Sequence, residues 1–166
     1  ASYGSVVPTL TSKDFAQYGF FTRTIPTGTS LAIAIADFMV MLSVRALTIV
    51  HSSSDYGFNV FTDFHAYAAP RGLKIGKVTF RYMFSFREES TRKMIMELGL
   101  LSNRVLLFAM EVTQMEMICD LFAEHGIFDG RYQLFATMDY GAALLADRMP
   151  TGLVSFSPVY GGDRYQ

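Results

Sequence analysis

Three polar residues with useful chemistry each follow an apolar run of the chain: Tyr56, Glu111 and Asp139. The runs predict buried parallel strands, whose carboxyl ends meet at one edge of a sheet, where ligands of open α/β sheets bind. Carboxylates accept charge-assisted hydrogen bonds from an ammonium group, and the face of a phenol ring adds a cation–π attraction. The three residues together therefore predict one wall of a cleft suited to an amine.

Each of these residues has a simpler interpretation when it is taken alone. Glu111 and Asp139 are suitable N-cap or first-turn carboxylates for the segments that follow them, and Tyr56 is an ordinary core or surface aromatic. As a pair, the two carboxylates could also act as a general acid and a general base. Their shared position at strand exits favours a common site, and binding needs no proton transfer. His51, which ends the strand before Tyr56, is a secondary candidate.

Strand patterns and helix patterns alternate along the chain, which is the signature of βαβ units and a parallel sheet. The predicted strands are nearly continuous apolar runs, so we expect helices on both faces of the sheet. The predicted fold class is α/β, with a doubly wound parallel sheet in three layers and a strand order that the sequence leaves open. The predicted strands are 2–7, 46–51, 73–80, 104–110, 132–138 and 152–156, with 19–25 extended, and the predicted helices are 30–43, 58–69, 90–100 and 113–125.

Capping residues mark several helix ends. Thr29 or Ser30 is expected to cap the first helix at its amino end. Pro70 and Gly72 are expected to end the second helix, and Gly126 the last.

The length, net charge and cysteine count of the chain exclude several classes of partner and of site. The chain has 166 residues, the size of one domain, with 17% charged residues and a net charge of −1. The absence of a basic stripe argues against nucleic acid or an anionic membrane surface as the main partner. Cys119 is the single cysteine, which excludes an internal disulfide and a cysteine-based metal cluster, and its helical apolar surroundings predict a buried, inert thiol.

Familiar catalytic and cofactor motifs are missing from the sequence. It contains no glycine-rich dinucleotide fingerprint, no phosphate-binding loop, no Gly-x-Ser-x-Gly elbow and no His-Glu-x-x-His pair. His51, His65 and His125 lack metal-ligand spacing. We therefore expect no cofactor and no metal ion.

Two features bear on targeting. Residues 1–10 lack the basic start and apolar run of a signal peptide. Residues 31–42 are the most apolar stretch, but they include Asp37 and fall short of the roughly 20 residues that span a bilayer. This stretch is expected to be a helix packed on the sheet.

Four segments follow one another along the chain: Ser-Tyr-Gly-Ser at 2–5, Phe-Phe-Thr-Arg-Thr-Ile-Pro at 20–26, Ser-Asp-Tyr-Gly at 54–57 and Ala-Thr-Met-Asp-Tyr-Gly at 136–141. In this order they resemble the type 1 periplasmic-binding-protein family. More narrowly, they are similar to the extracellular receptor ligand-binding (ANF-receptor) region of class C G-protein-coupled receptors, natriuretic peptide receptors and glutamate-receptor amino-terminal domains. The resemblance covers essentially the whole chain, and the succession of segments is more specific than any one of them.

The resemblance implies part of a two-lobed flytrap domain that is not an enzyme and that closes on a small molecule to signal. Residues 1–25 would be the end of the first lobe and the crossover, 26–151 the second lobe, and 152–166 the start of the return to the first lobe. The domain would lie on the extracellular side of the plasma membrane, or in the periplasm of a bacterium. It would meet the membrane only through its parent receptor, and homo- or heterodimers stay open.

The resemblance also assigns ligand contacts. In amino-acid-binding members, three second-lobe positions contact the amino end of the ligand, and they correspond to Tyr56, Glu111 and Asp139. These are the residues that the strand exits had already selected.

The first-lobe contacts correspond to Gly4, Ser5 and Val6, which would hold the carboxylate of an amino-acid ligand. Hydroxyl residues are usual at the first and third of these positions, and Gly28 replaces an aspartate that is frequent after the crossover. The ligand class therefore stays open among an amino acid, another amine-bearing molecule and another kind of small ligand.

Two other functions remain as alternatives. One is a small α/β enzyme that uses Glu111 and Asp139 at the carboxyl edge, with Glu111 as the base. The other is a lobe that binds no ligand and serves dimerisation.

Overall fold

A computed structural model describes residues 28–80, 88–140 and 146–156, in which helices and strands alternate. The predicted strand at 2–7 and the extended segment at 19–25 lie outside these residues. Short 3₁₀ turns at Ala69–Arg71 and Ala146–Arg148 accompany the longer elements. The strands are β1 (Ala46–Ser52), β2 (Lys74–Phe80), β3 (Val105–Ala109), β4 (Gln133–Ala136) and β5 (Val154–Ser155), and the helices are α1 (Gly28–Met41), α2 (Asp55–Ala68), α3 (Glu88–Leu100) and α4 (Val112–Glu124).

The five strands form one parallel sheet in the order β2-β1-β3-β4-β5. The chain moves outward from β1 to β2, then crosses back over β1 to β3 and continues to β4 and β5. The direction of winding therefore reverses between β1 and β3, and this topological switch point is where open α/β sheets bind their ligands. The predicted α/β class and the parallel sheet are confirmed.

Helices cover both faces of the sheet, as the continuous apolar runs predicted. Alternate residues of β3 point to opposite faces. Leu106 and Phe108 pack in one core cluster with side chains of α3 and α4, whereas Leu107 and Ala109 pack in a second cluster with α1 and α2. Both faces are mostly apolar, and the buried Thr48 within β1 donates its hydroxyl to Asn103 Oδ1 at 2.9 Å, so the exposed polar candidates lie at the ends of the strands.

The helix α2 begins earlier than the sequence predicted, at Asp55 instead of residue 58. Ser54 is its N-cap, with extended backbone, and the Ser54 hydroxyl accepts a hydrogen bond from Gly57 N–H at 3.4 Å. This capping bond outweighs the low helix propensity of glycine, which had suggested a loop there. Tyr56 therefore lies in the first turn of a helix and not in a loop.

The helix α1 also begins early, at Gly28, so neither Thr29 nor Ser30 is its N-cap. The Thr29 hydroxyl instead donates a hydrogen bond of 2.8 Å to the Asp63 carboxylate and so joins α1 to α2. The predicted ends at Gly72 and Gly126 are confirmed, since both glycines adopt positive φ just after a helical segment. None of the helices in the described ranges combines the length and apolar character that a membrane span requires.

An aromatic cluster fills the core between β3 and α4. Phe108 is fully buried, and its ring stacks on Phe122 with centroids 5.3 Å apart, while Phe128 packs edge-on against both. Such pairs contribute beyond the apolar area they bury. This cluster therefore fixes α4, and with it Glu111, relative to the centre of the sheet.

We expect Phe108→Ala to lower the free energy of unfolding by about 3–5 kcal/mol, because the change leaves a cavity in a closed core. The control is Phe58→Ala, since Phe58 is 53% exposed on α2, and a change there should cost within about 0.5 kcal/mol. Chemical denaturation of the full-length protein measures both values. Equal losses in the two variants would contradict the burial of Phe108.

Candidate functional site

The carboxyl ends of β1, β3 and β4 bring the three predicted site residues to one edge of the sheet. Tyr56 follows β1 and Glu111 follows β3, so these two flank the switch point. Asp139 follows β4, two residues after Thr137, to which the Tyr56 side chain is bonded. The sheet thus brings the three residues to one edge, as the strand exits predicted.

Tyr56 is the buried member of the three predicted site residues. Only 8% of the residue is exposed, and its hydroxyl donates to Thr137 Oγ1 at 2.8 Å, with the Thr137 carbonyl oxygen at 3.3 Å. Burial raises the pKa of the phenol, the bond to Thr137 partly offsets this, and the negative charge of Glu111 raises the pKa further. The phenol is therefore neutral, and its hydroxyl is already engaged in joining α2 to the exit of β4.

Gly57 allows the first turn of α2 to lie directly against the switch point. A Cβ atom at this position would meet the Ser52 hydroxyl and would lie 2.6 Å from the Ser52 carbonyl oxygen and 2.7 Å from that of Ala109. Those carbonyls end β1 and β3, and backbone atoms cannot move aside as a side chain can. The absence of a side chain at residue 57 thus places Tyr56 over the junction of the two strands.

Glu111 is exposed and occupies the N-cap position of α4, as the simpler interpretation expected. Gln114 lies in the first turn of the same helix, and its Oε1 accepts a hydrogen bond of 2.9 Å from Glu111 N–H. Gln114 is fully buried, and its Nε2 has no hydrogen-bond partner in the part of the chain that the structure describes. In this capping box the Glu111 side chain accepts from the backbone N–H of Gln114, while the residue stays exposed, so capping and ligand contact are compatible roles.

Asp139 is exposed at the exit of β4 and precedes a fully buried tyrosine, Tyr140. The Tyr140 hydroxyl donates a hydrogen bond of 2.8 Å to the carbonyl oxygen of Met110. Burial raises the pKa of this phenol well above its ordinary range, and the neighbouring Tyr56 contributes in the same direction. The two tyrosines thus form a neutral, hydrogen-bonded layer at the edge that carries the two surface carboxylates.

Sequence reasoning missed Thr137 and Tyr140. The signal available for Tyr140 was its position after an apolar strand, since a buried tyrosine needs a partner for its hydroxyl. The partners themselves depend on which strands are neighbours, and strand order was open.

His51 is 1% exposed and does not reach the surface of the wall. Its ring stacks on Phe61 with centroids 5.0 Å apart, and its Nδ1 donates to the Ser52 carbonyl oxygen at 2.8 Å. Burial lowers the pKa of His51, the bond to Ser52 partly offsets this, and the charge of Lys77 lowers it further. His51 therefore supports the carboxyl end of β1 as a neutral ring.

Some of the remaining predicted residues lie outside the described ranges, and Cys119 lies within them. Gly4, Ser5 and Val6 lie outside the described residues. Cys119 is buried on α4, and burial raises the pKa of its thiol, which fits the predicted inert role. Within the described ranges, histidine, cysteine and acidic side chains form no group of three or more that could hold a metal ion.

The chain matches the family model described as the receptor family ligand binding region over residues 1–157. No curated protein matches the chain. The matched span includes all three strand exits and every residue of the wall.

We expect Gly57→Ala to lower the free energy of unfolding by about 1–3 kcal/mol, because the added methyl group overpacks against two fixed carbonyls. Gly99→Ala is the matched control, since Gly99 also lies in a helix, and a Cβ there meets nothing within 4 Å. The control should be neutral or stabilising by up to about 1 kcal/mol. Denaturation curves that rank the two variants the other way would show that α2 does not approach the switch point closely.

We expect His51 to make stability depend on pH below its ordinary pKa of 6.5. The lowered pKa means that the unfolded chain takes up a proton more readily than the folded one, so the free energy of unfolding falls as the pH drops through this value. Above it both states are neutral, and nothing is lost. Denaturation of the parent and of His51→Asn over this range should give a steeper decline for the parent. Parallel curves would contradict a buried neutral ring at residue 51.

Proposed function

Because this chain belongs to the receptor family ligand-binding region, whose model matches residues 1–157, we propose that it supplies most of the second lobe of a two-lobed receptor domain. The domain closes on a small amine-bearing ligand, an amino acid or another amine. Residues 1–25 belong to the end of the first lobe and the crossover, 26–151 to the second lobe, and 152–166 to the return. The parent receptor holds the domain on the extracellular side of the membrane, or in the periplasm of a bacterium.

The observation that carries the choice of ligand is the pairing of exposed carboxylates with buried neutral phenols at one sheet edge. Glu111 and Asp139 are exposed, whereas Tyr56 and Tyr140 are buried with their hydroxyls engaged. An ammonium group gains charge-assisted hydrogen bonds from the carboxylates. An anionic ligand would meet like charges at both exits. This wall therefore favours a cation.

Binding accounts for this chemistry better than catalysis does. A general acid–base pair must reach the reacting atoms and needs a pKa matched to its task. Here the nearest phenols are tied to Thr137 and to the Met110 carbonyl, and the Cys119 thiol is buried in the core. The residues that reach the surface are acceptors for a positive charge.

Signalling follows from closure of the two lobes. A ligand that contacts the second-lobe wall on one side and Gly4, Ser5 and Val6 on the other is bound more tightly when the cleft is closed. Such a ligand shifts the population toward the closed form by as much as its affinities for the two forms differ. The rigid wall contributes by keeping its carboxylates in place before the ligand arrives.

We expect a thermal-shift screen of the full-length protein to separate ligand classes. Compounds that bind the folded state raise its melting temperature. Cadaverine and glutarate form a useful pair, because they have the same number of carbons and carry opposite charges. Amines and amino acids should give the shifts, and small carboxylates without an amine should give none. Shifts from carboxylates alone would contradict the proposed ligand class.

We expect Asp139→Ala to weaken the amine that gives the largest shift by more than tenfold, or about 1.4 kcal/mol. The reason is the loss of one charge-assisted partner of the ammonium group. Glu124→Ala is the control, since Glu124 is an exposed carboxylate and the last residue of α4, at the opposite end of that helix from Glu111. Isothermal titration calorimetry gives both affinities. Unchanged affinity in Asp139→Ala would remove Asp139 from the site.

A further inference from the structure

The hydrogen bond of Tyr140 joins the two strand exits that carry the carboxylates. Tyr140 is the residue directly after Asp139, and its acceptor, the carbonyl of Met110, belongs to the residue directly before Glu111. The bond is 2.8 Å long, and Tyr140 and Met110 are both fully buried. The Tyr140 side chain therefore joins the strand exit that carries Asp139 to the strand exit that carries Glu111.

Backbone pairing between β3 and β4 ends before either carboxylate. The last paired residues are Phe108 and Ala136, and the final backbone bond runs from Thr137 N–H to the Phe108 carbonyl oxygen at 3.0 Å. Beyond that bond, the Tyr140 side chain is a direct connection between the two exits, through its hydrogen bond to the Met110 carbonyl oxygen. Tyr140 makes this connection with a rigid ring, whose position is fixed by complete burial.

We propose that Tyr140 is a positioning residue that sets the separation of Glu111 and Asp139. This inference rests on the proposed function, in which the two carboxylates hold one amine. Binding groups must be held to within about 0.5 Å of their working geometry to act together. The hydrogen bond between Tyr56 and Thr137 also holds the exit of β4, from the side of β1. The hydrogen bond of Tyr140 therefore acts on a strand end that a second bond already holds.

A matched control is present in the same pair of strands. Tyr132 precedes β4 and is buried, and its hydroxyl accepts a hydrogen bond from Arg104 Nη1 at 3.3 Å, just before β3. Tyr132 therefore connects the same two strands at the opposite edge of the sheet. Tyr132→Phe and Tyr140→Phe remove the same atom from the same strand pair, and only the second removes it beside the carboxylates.

The first readout measures spacing without any ligand. Nitroxide labels at Glu111→Cys and Asp139→Cys, in a Cys119→Ala background, report short separations through dipolar broadening of frozen-solution EPR spectra. We expect Tyr140→Phe to give a broader and longer distribution of separations than the parent, and Tyr132→Phe to match the parent. Circular dichroism checks that each variant is folded. Identical spectra for Tyr140→Phe and the parent would overturn the inference, whatever binds to the protein.

The second readout is the affinity of unlabelled protein for cadaverine, measured by titration calorimetry. In the proposed site, one of its ammonium groups meets both carboxylates. We expect Tyr140→Phe to weaken binding about tenfold and Tyr132→Phe to leave it unchanged. Equal affinities of Tyr140→Phe and the parent would overturn the positioning role. A parent that fails to bind cadaverine and every other amine would instead count against the proposed function, and the spectra alone would then decide the role of Tyr140.

Discussion

The close approach of α2 to the ends of β1 and β3 is the constraint on which the candidate site depends. The backbone carbonyls of Ser52 and Ala109 lie where a side chain at residue 57 would have to be, so the helix can start there only with glycine. This start places Tyr56 one residue earlier, within reach of Thr137 at the exit of β4. A missing side chain at the switch point thus allows one helix to connect three strand ends.

Burial of both sheet faces explains why the polar groups collect at this edge. The sheet interior has few places for polar side chains, and a buried phenol or imidazole is stable only when it is hydrogen-bonded and neutral. Tyr56, Tyr140 and His51 all meet this condition through a backbone or hydroxyl acceptor. The charged residues Glu111 and Asp139 lie beyond these groups, at the surface, where water and a ligand have access. Side chains are thus mostly apolar within the sheet, neutral and hydrogen-bonded at its carboxyl end, and negatively charged at the surface of that end.

Much of this arrangement could be predicted from the sequence, because it depends on local pattern. Continuous apolar runs before Tyr56, Glu111 and Asp139 were enough to predict a parallel sheet covered on both faces, with the three residues at one edge. The early start of α2 was missed because Gly57 suggests a loop. Gly57 contacts the ends of both β1 and β3, and this contact could be predicted only if β3 was known to lie beside β1. The partners of Tyr56 and Tyr140 were missed for the same reason, since strand order decides which exits are neighbours. The family resemblance from four short segments is confirmed by the family match over residues 1–157.

We propose that the carboxyl edge of this sheet holds the amine of a small ligand. Nuclear magnetic resonance of protein with ¹³C-labelled side-chain carboxyls tests it most directly, during titration with the amine that most raises the melting temperature. We expect the carboxyl signals of Glu111 and Asp139 to shift together and to saturate at the same amine concentration. Saturating shifts confined to carboxyls elsewhere, such as Asp120 or Glu124 on α4, with Glu111 and Asp139 unmoved, would contradict it.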